Sequence, residues 1–125
     1  MAVIAAWIAV ALLTALAGLQ ACVAAGAPWG RFVWGGGHKV LPRHLRIGSA
    51  LSVALYAGFA WLLLARAGVL AGGSGAFAGV AAWVLFGYFS VGVVMNLASR
   101  SPAERWTMAP ACLALALLTW IVAAS

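Results

Sequence analysis

The sequence predicts an all-α integral membrane protein, folded as an antiparallel bundle of four transmembrane helices. Hydrophobic residues fill 67% of the 125 positions and charged residues only 6%, whereas a soluble domain carries roughly 25% charged residues. Four runs lack any charged side chain, residues 1–30, 47–65, 67–99 and 106–125. Each run can supply the roughly 20 apolar residues with which a helix crosses a bilayer core. We therefore expect one transmembrane domain, residues 1–125, and no soluble domain.

Turn and capping residues set the bounds of the four predicted helices, residues 2–25, 42–66, 76–98 and 102–124. The first helix ends before Pro28, and the second begins at Pro42, a residue suited to a first helical turn. A glycine-rich segment at residues 72–75 reverses the chain before the third helix. The Ser-Pro-Ala-Glu sequence at 101–104 is a capping box, in which Ser101 caps the fourth helix and Glu104 reaches back to it.

Basic residues are distributed unevenly between the connections. The first and third connections hold six of them, and the second holds only Arg66 at its edge. The six are Arg31, Lys39, Arg43, Arg46, Arg100 and Arg105. Because basic loops stay in the cytoplasm, we expect these two connections to be cytoplasmic and both termini to lie outside the cell membrane. Arg66 then lies at the outer interface, where its side chain either snorkels to the headgroups or forms a gate.

A cleaved leader is the alternative for the first helix. Leu19 to Cys22 resembles a lipoprotein cleavage box, and Ala25 with Ala27 fits an ordinary cleavage site. However, no positively charged segment precedes the apolar run, and cleavage would leave the first basic connection outside, against the charge rule. We therefore expect the helix to be retained, with Cys22 as a small residue at a helix contact.

Polar residues inside the predicted helices lie at matching depths. The second helix carries three on one face, the third carries two on one face, and the first adds two more. The members of this polar track are Thr14 and Gln20, then Ser49, Ser52 and Tyr56, then Tyr88 and Asn96. Two explanations stay open. The track supplies hydrogen bonds between helices, or it lines a hydrated ligand pocket that reaches from the cytoplasmic side to mid-membrane.

The first connection combines a glycine run with basic residues. Gly35 to Gly37 can turn backbone N–H groups towards an anion, although the spacing is not that of a Walker loop. The expected ligands of anionic lipid headgroups, each contributing roughly 1 kcal/mol, are Arg31, Lys39, Arg43 and Arg46. The alternative is a flexible interfacial loop that only obeys the charge rule.

Reactive side chains are scarce, which disfavours most catalytic chemistry. Glu104 is the only acidic residue and is expected to cap a helix at the surface, so carboxylate metal sites and proton coupling through a membrane-embedded carboxylate are disfavoured. His38 and His44 both lie on the cytoplasmic side, where they cannot ligate an intramembrane haem. The chain has no Cys-x-x-Cys motif. We expect no enzyme activity, no metal, no cofactor and no nucleic-acid partner.

Two segments and the composition carry a resemblance. Arginine outnumbers lysine six to one, and alanine is abundant. With the segments Trp34 to Ser52 and Asn96 to Arg105, the chain resembles small four-span membrane proteins of GC-rich bacteria, of the actinobacterial type. The resemblance covers most of the chain and implies a multi-pass membrane protein, but no activity and no catalytic residues.

Two functions fit these features. The first is a non-enzymatic membrane protein that acts by association, as a homo-oligomer or an accessory subunit. Faces of small residues, such as Ala11, Ala15, Gly18 and Cys22, favour it. The alternative is a small channel or transporter for an anion or neutral solute, with the polar track as its lining and the basic residues as an electrostatic funnel.

The charge asymmetry yields a test of orientation. A reporter that is active only in the cytoplasm should give signal when inserted between Gly35 and Gly37, and none when fused after Ser125, because basic connections are retained inside. Reporter activity on intact cells measures this. The opposite pattern of signal would overturn the orientation.

Overall fold

The computed structural model describes all 125 residues, which form four α-helices and no strand. The helices are α1 (Ala2–Ala24), α2 (Arg43–Arg66), α3 (Ala76–Leu97) and α4 (Pro102–Ala123). Each begins and ends within one residue of the bounds expected from the sequence. All four are long and apolar enough to cross a membrane. The chain is a multi-pass membrane protein with a four-helix bundle, which confirms the predicted fold class.

The helices pack as two hairpins that meet along one side. α1 packs mainly on α2, α3 packs mainly on α4, and contacts between α1 and α4 join the two pairs. The contact between α2 and α3 is much weaker, and we call this loosely packed side the α2–α3 seam. The bundle is therefore closed on one side and open on the other.

The main hydrophobic core fills only one half of the bundle. Its ten buried residues are Ala5, Ala6, Ala9, Leu13, Leu63, Leu85, Phe89, Leu115, Ala116 and Val122. They lie in the half nearest the two chain termini and the second connection. Alanines of α1 allow close approach of the neighbouring helices there, so this half is tightly packed.

The other half ends in the first and third connections, and we call it the basic end. The first connection folds against the bundle through two short 3₁₀ turns, Gly30–Phe32 and Trp34–Gly36. Val33 and Leu41 are buried against Val23 of α1. The connection is therefore packed against the basic end.

Arg66 links three parts of the opposite end. Its guanidinium donates hydrogen bonds to the carbonyl oxygen of Gly73 in the second connection, at 3.4 Å, and to that of Ala123 at the end of α4, at 3.3 Å. A third bond reaches the carbonyl oxygen of Ser125 at 3.1 Å. A cation stabilises the free carbonyls at a helix C-terminus, so Arg66 has a structural role in holding α2 to α4.

Most of each helix surface faces outward. Between 11% and 33% of the residues in the most apolar stretch of each helix are buried within the bundle. The small-residue face of α1 is on the outer surface, with Ala11, Ala15 and Gly18 exposed and Cys22 half-buried. A Cβ atom added to Gly18 would meet no atom within 4 Å. This face is therefore not used for packing inside the bundle.

Candidate functional site

A cavity of about 510 Å³ occupies the basic half of the bundle, within the range of roughly 300–1,000 Å³ typical of ligand pockets. All four helices and the first connection contribute to its wall. We call it the polar cavity. Its side chains with polar atoms include Gln20, Ser52, Tyr56, Tyr88, Asn96, Ser99, Glu104 and Cys112.

Five of the seven residues of the polar track line this cavity: Gln20, Ser52, Tyr56, Tyr88 and Asn96. They come from three helices and meet because their depths match. The matching depths of Tyr56 and Tyr88, noted in the sequence, correspond to side chains on facing walls. The rest of the wall is mostly apolar, apart from Trp34, Ser99, Glu104 and Cys112, as is common for small-molecule sites.

Ser49 and Thr14 have other roles. Ser49 is fully buried, and its hydroxyl accepts a hydrogen bond from the indole N–H of Trp34 at 2.9 Å, which fastens the first connection to α2. Thr14 is exposed on the outside of α1, where its hydroxyl donates to the carbonyl oxygen of Val10 at 2.7 Å. Neither residue lines the polar cavity.

The structure corrects the expected position of Glu104. Its backbone N–H donates to the Ser101 hydroxyl at 3.4 Å, so half of the capping box is present. The carboxylate does not reach back to Ser101. It turns into the polar cavity and accepts a hydrogen bond from the Gly35 N–H at 3.3 Å. Glu104 as a whole residue is 7% exposed. The only acidic side chain of the protein is therefore buried.

The glycine run provides the backbone conformation for this contact. Three successive residues have left-handed backbones, Trp34 at φ 53°, Gly35 at φ 79° and Gly36 at φ 75°. Consecutive residues of this kind can aim N–H groups at an anion. The anion that Gly35 contacts is the Glu104 carboxylate of the chain itself, 69 residues away.

The charge of the cavity wall is negative. Glu104 lines the cavity, and no Arg, Lys or His residue does. An ionised carboxylate can accept about four hydrogen bonds, and that of Glu104 receives one from the protein. Since a buried carboxylate is costly unless it is paired or hydrogen-bonded, its environment favours a cation or a hydrogen-bond donor beside it.

Two amide side chains differ in how well the protein satisfies them. The Asn96 amide N–H₂ donates to the carbonyl oxygen of Gly92 at 2.8 Å and to the Cys112 sulfur at 3.4 Å. The amide oxygen of Gln20 is buried without a hydrogen-bond partner. A buried acceptor without a partner costs about 1–3 kcal/mol. The cavity wall thus has unused acceptors at both Gln20 and Glu104.

Two further hollows continue from the polar cavity along the α2–α3 seam. A lateral pocket of about 460 Å³ shares Tyr56, Tyr88, Met95 and Asn96 with the polar cavity. An apolar groove of about 530 Å³ follows, and Tyr88 lines all three spaces. The groove is lined by Leu55, Phe59, Leu62, Phe77, Val80, Ala81, Val84, Leu85 and Tyr88.

The residues expected to bind anionic lipid differ in their availability. Arg31, Lys39 and Arg43 are exposed at the basic end. Arg46 is half-buried, and its guanidinium donates to the carbonyl oxygen of Ala24 at 2.8 Å. Arg46 therefore caps the C-terminal end of α1.

Sequence reasoning missed four residues that line the cavity with polar atoms in their side chains: Trp34, Ser99, Glu104 and Cys112. Glu104 had a signal, because it is the only acidic residue, but the capping-box pattern assigned it to the surface. No signal in the sequence indicates that Trp34 lines the cavity, because an aromatic residue at the end of a transmembrane helix is usually an interfacial anchor. Nowhere does the structure bring three His, Cys, Asp or Glu residues together in a group able to hold a metal.

No family model, no curated protein and no solved structure matches this chain. The resemblance to four-span proteins of actinobacteria stays a prediction. The case for a function therefore depends on the geometry of the polar cavity and of the surfaces around it.

The packing of the glycine run gives a matched pair of variants. A Cβ atom at Gly36 would clash with the Ser101 Cβ, whereas one at Gly37 would meet nothing within 4 Å. Gly36 also has a positive φ, and Gly37 has φ −72°. Gly36→Ala should therefore destabilise the protein by about 1–3 kcal/mol, and Gly37→Ala should be close to neutral. Thermal unfolding of the purified protein measures both, and equal losses would contradict this packing.

Proposed function

We propose that the protein binds a small neutral or cationic solute in the polar cavity, as a non-enzymatic membrane protein of the channel or transporter class. The observation that carries the proposal is the convergence of five track residues and the buried Glu104 on one cavity. Polar groups that served only to join helices would be expected to bond to one another. Asn96 does reach another helix, at the Cys112 sulfur. However, Ser52 donates to the carbonyl oxygen of Gly48 in its own helix, and the buried amide oxygen of Gln20 has no partner.

The sign of the charge decides between solute classes. An anion in the polar cavity would lie close to the Glu104 carboxylate with no basic side chain in the wall, and like charges repel strongly away from water. The basic residues remain outside the cavity, at the surface or bound to helix ends. The alternative function predicted from the sequence is a channel or transporter for an anion or a neutral solute. We therefore propose a cation in place of the anion and retain the neutral solute.

The two cysteines of the chain allow a direct test of this charge. Cys112 lines the polar cavity and Cys22 does not, so a Cys22→Ala variant has one thiol, in the wall. Two methanethiosulfonate reagents of similar size are compared, one with a trimethylammonium group and one with a sulfonate. The cationic reagent should modify Cys112 at least about tenfold faster, because a cleft of one charge concentrates the opposite charge. Rates are normalised to a free thiol and followed by intact-protein mass spectrometry.

Glu104→Gln is the matched variant for this test. Glutamine keeps an acceptor oxygen for the Gly35 N–H and removes the charge, so the preference for the cationic reagent should disappear. Thr14→Val, on the outside of α1, should leave the preference unchanged. Equal modification by both reagents before the Glu104 change would refute the cationic solute and leave only a neutral one. No modification by either reagent would overturn solute binding in the polar cavity.

A second candidate function is association with a second copy of the chain. The small-residue face of α1 favours it, because Ala11, Ala15 and Gly18 are exposed and the Gly18 backbone is open to close approach. Helices in membranes associate through such faces. We propose that this surface, and not the interior, forms the contact if the protein is a homo-oligomer or an accessory subunit.

Gly18→Leu tests this contact against Gly79→Leu, since a Cβ atom at either position would meet no neighbour within 4 Å. If α1 is the interface, Gly18→Leu should convert a dimer into a monomer and Gly79→Leu should not. Native mass spectrometry from membrane extracts gives the stoichiometry. A wild-type protein that is monomeric throughout would contradict the association function and leave solute binding in place.

We further propose that the exposed residues Arg31, Lys39 and Arg43 attract anionic lipid headgroups at the cytoplasmic face of the cell membrane. Their separate positions at the basic end suit the additive, salt-sensitive attraction expected of a charged surface. Arg46 contributes less, because its guanidinium is bound to the end of α1. In this orientation the polar cavity faces the cytoplasm and both termini lie outside.

A further inference from the structure

The polar cavity has no continuation towards the opposite end of the bundle. The tight core closes that direction, with Leu13, Leu63, Leu85 and Leu115 all at most 3% exposed. Because contact along the α2–α3 seam is weak, the cavity can continue sideways through the seam towards the bilayer. A ligand that extends beyond the polar cavity therefore has to follow the seam.

Exposed side chains border the path along the seam. Tyr88 and Met95, which line both the polar cavity and the lateral pocket, are 49% and 69% exposed. Val84 lines both the lateral pocket and the apolar groove and is 66% exposed. The polar interior thus reaches the outer surface of α3 without an intervening packed layer.

The path changes from polar to apolar along its length. Asn96 and Glu104 lie near the basic end, and the far end of the groove is formed by Phe77, which is 82% exposed. The helix between Phe77 and Asn96 is about 28 Å long, close to the roughly 30 Å of a bilayer core. This polarity is that of an amphiphile with its head at the basic end and its tail along the seam, towards the membrane interior.

The lining selects the head group. The unused acceptors of Glu104 and Gln20 suit an N–H donor with positive charge. A phosphodiester would bring a negative charge into a wall with no basic residue. A head with an ammonium group and no phosphate is therefore favoured.

We propose that the polar cavity and the apolar groove form one site for a single-chain amphiphile, whose ammonium head binds at Glu104 and whose alkyl tail lies in the α2–α3 seam. This inference rests on the proposed solute-binding function and specifies its ligand. Entry from the bilayer through the seam lets the tail remain in an apolar environment throughout. A solute confined to the cavity would instead have to enter from water.

Protection of Cys112 from N-ethylmaleimide measures occupancy in the Cys22→Ala protein, reconstituted in phosphatidylcholine nanodiscs. The probes are ethyl-, hexyl- and dodecylammonium at sublytic concentrations. Dodecanol, which has the same chain length as dodecylammonium and no charge, is the control for the head group. The half-protecting aqueous concentration should fall by about fourfold for each added methylene up to dodecyl, since each buried methylene adds a constant increment. Dodecanol should protect at least about tenfold less well than dodecylammonium.

Three variants assign the two parts of the ligand. Val84→Trp, where the lateral pocket meets the groove, should raise the half-protecting concentration of dodecylammonium and leave that of ethylammonium unchanged. Val94→Trp is the control, because Val94 is 67% exposed on the same helix and lines none of the three spaces. Glu104→Gln should remove the advantage of dodecylammonium over dodecanol.

The outcomes separate this inference from the proposed function. If ethylammonium protects as well as dodecylammonium and Val84→Trp has no effect, the cavity binds small cations from water, and only the amphiphile is refuted. If Cys112 is labelled freely and no amine protects it, both are refuted. Equal protection by dodecanol refutes the ammonium head. Stronger protection in phosphatidylethanolamine nanodiscs without any probe identifies a two-chain lipid and refutes the single-chain ligand.

Discussion

The hydrogen bond from the Gly35 N–H to the Glu104 carboxylate joins the first connection to the start of α4 across 69 residues of sequence. It requires left-handed backbones at Trp34 and Gly35, and Trp34 in turn binds Ser49 of α2. The first connection is thereby fixed over the basic end and its backbone forms part of the cavity wall. Without this contact the carboxylate would be free to reach back to the start of α4, as the glutamate of a complete capping box does.

The two halves of the bundle are packed by different kinds of residue. Near the termini, alanines of α1 pack with leucines and other apolar side chains of all four helices. Near the middle of the bundle, the large rings of Tyr56, Phe59 and Tyr88 lie between α2 and α3, with the Phe59 and Tyr88 centroids 5.2 Å apart. These rings occupy the space between two helices whose backbones are in weak contact.

Opposite charges are separated between the interior and the surface. The single carboxylate is inside, while the arginines either face outward or bind the carbonyl groups at helix ends, as Arg46, Arg66 and Arg105 do. Capping by arginine satisfies carbonyl oxygens that a bilayer could not hydrate. As a result the carboxylate keeps its capacity to attract a ligand, because no basic side chain of the protein neutralises it within the cavity.

The sequence by itself determined the four helices and their bounds, because the length of a charge-free run and its capping residues are local properties. It also identified Gln20, Ser52, Tyr56, Tyr88 and Asn96 as residues at matching depths, since helical spacing fixes depth. Which way each side chain points around its helix depends on which neighbours pack, and this placed Thr14 outside and Ser49 behind the wall. Only the tertiary structure brought Glu104 into the cavity, because its partner is a loop amide distant in sequence. The open α2–α3 seam likewise depends on the fit of side chains from two helices, which no local pattern records.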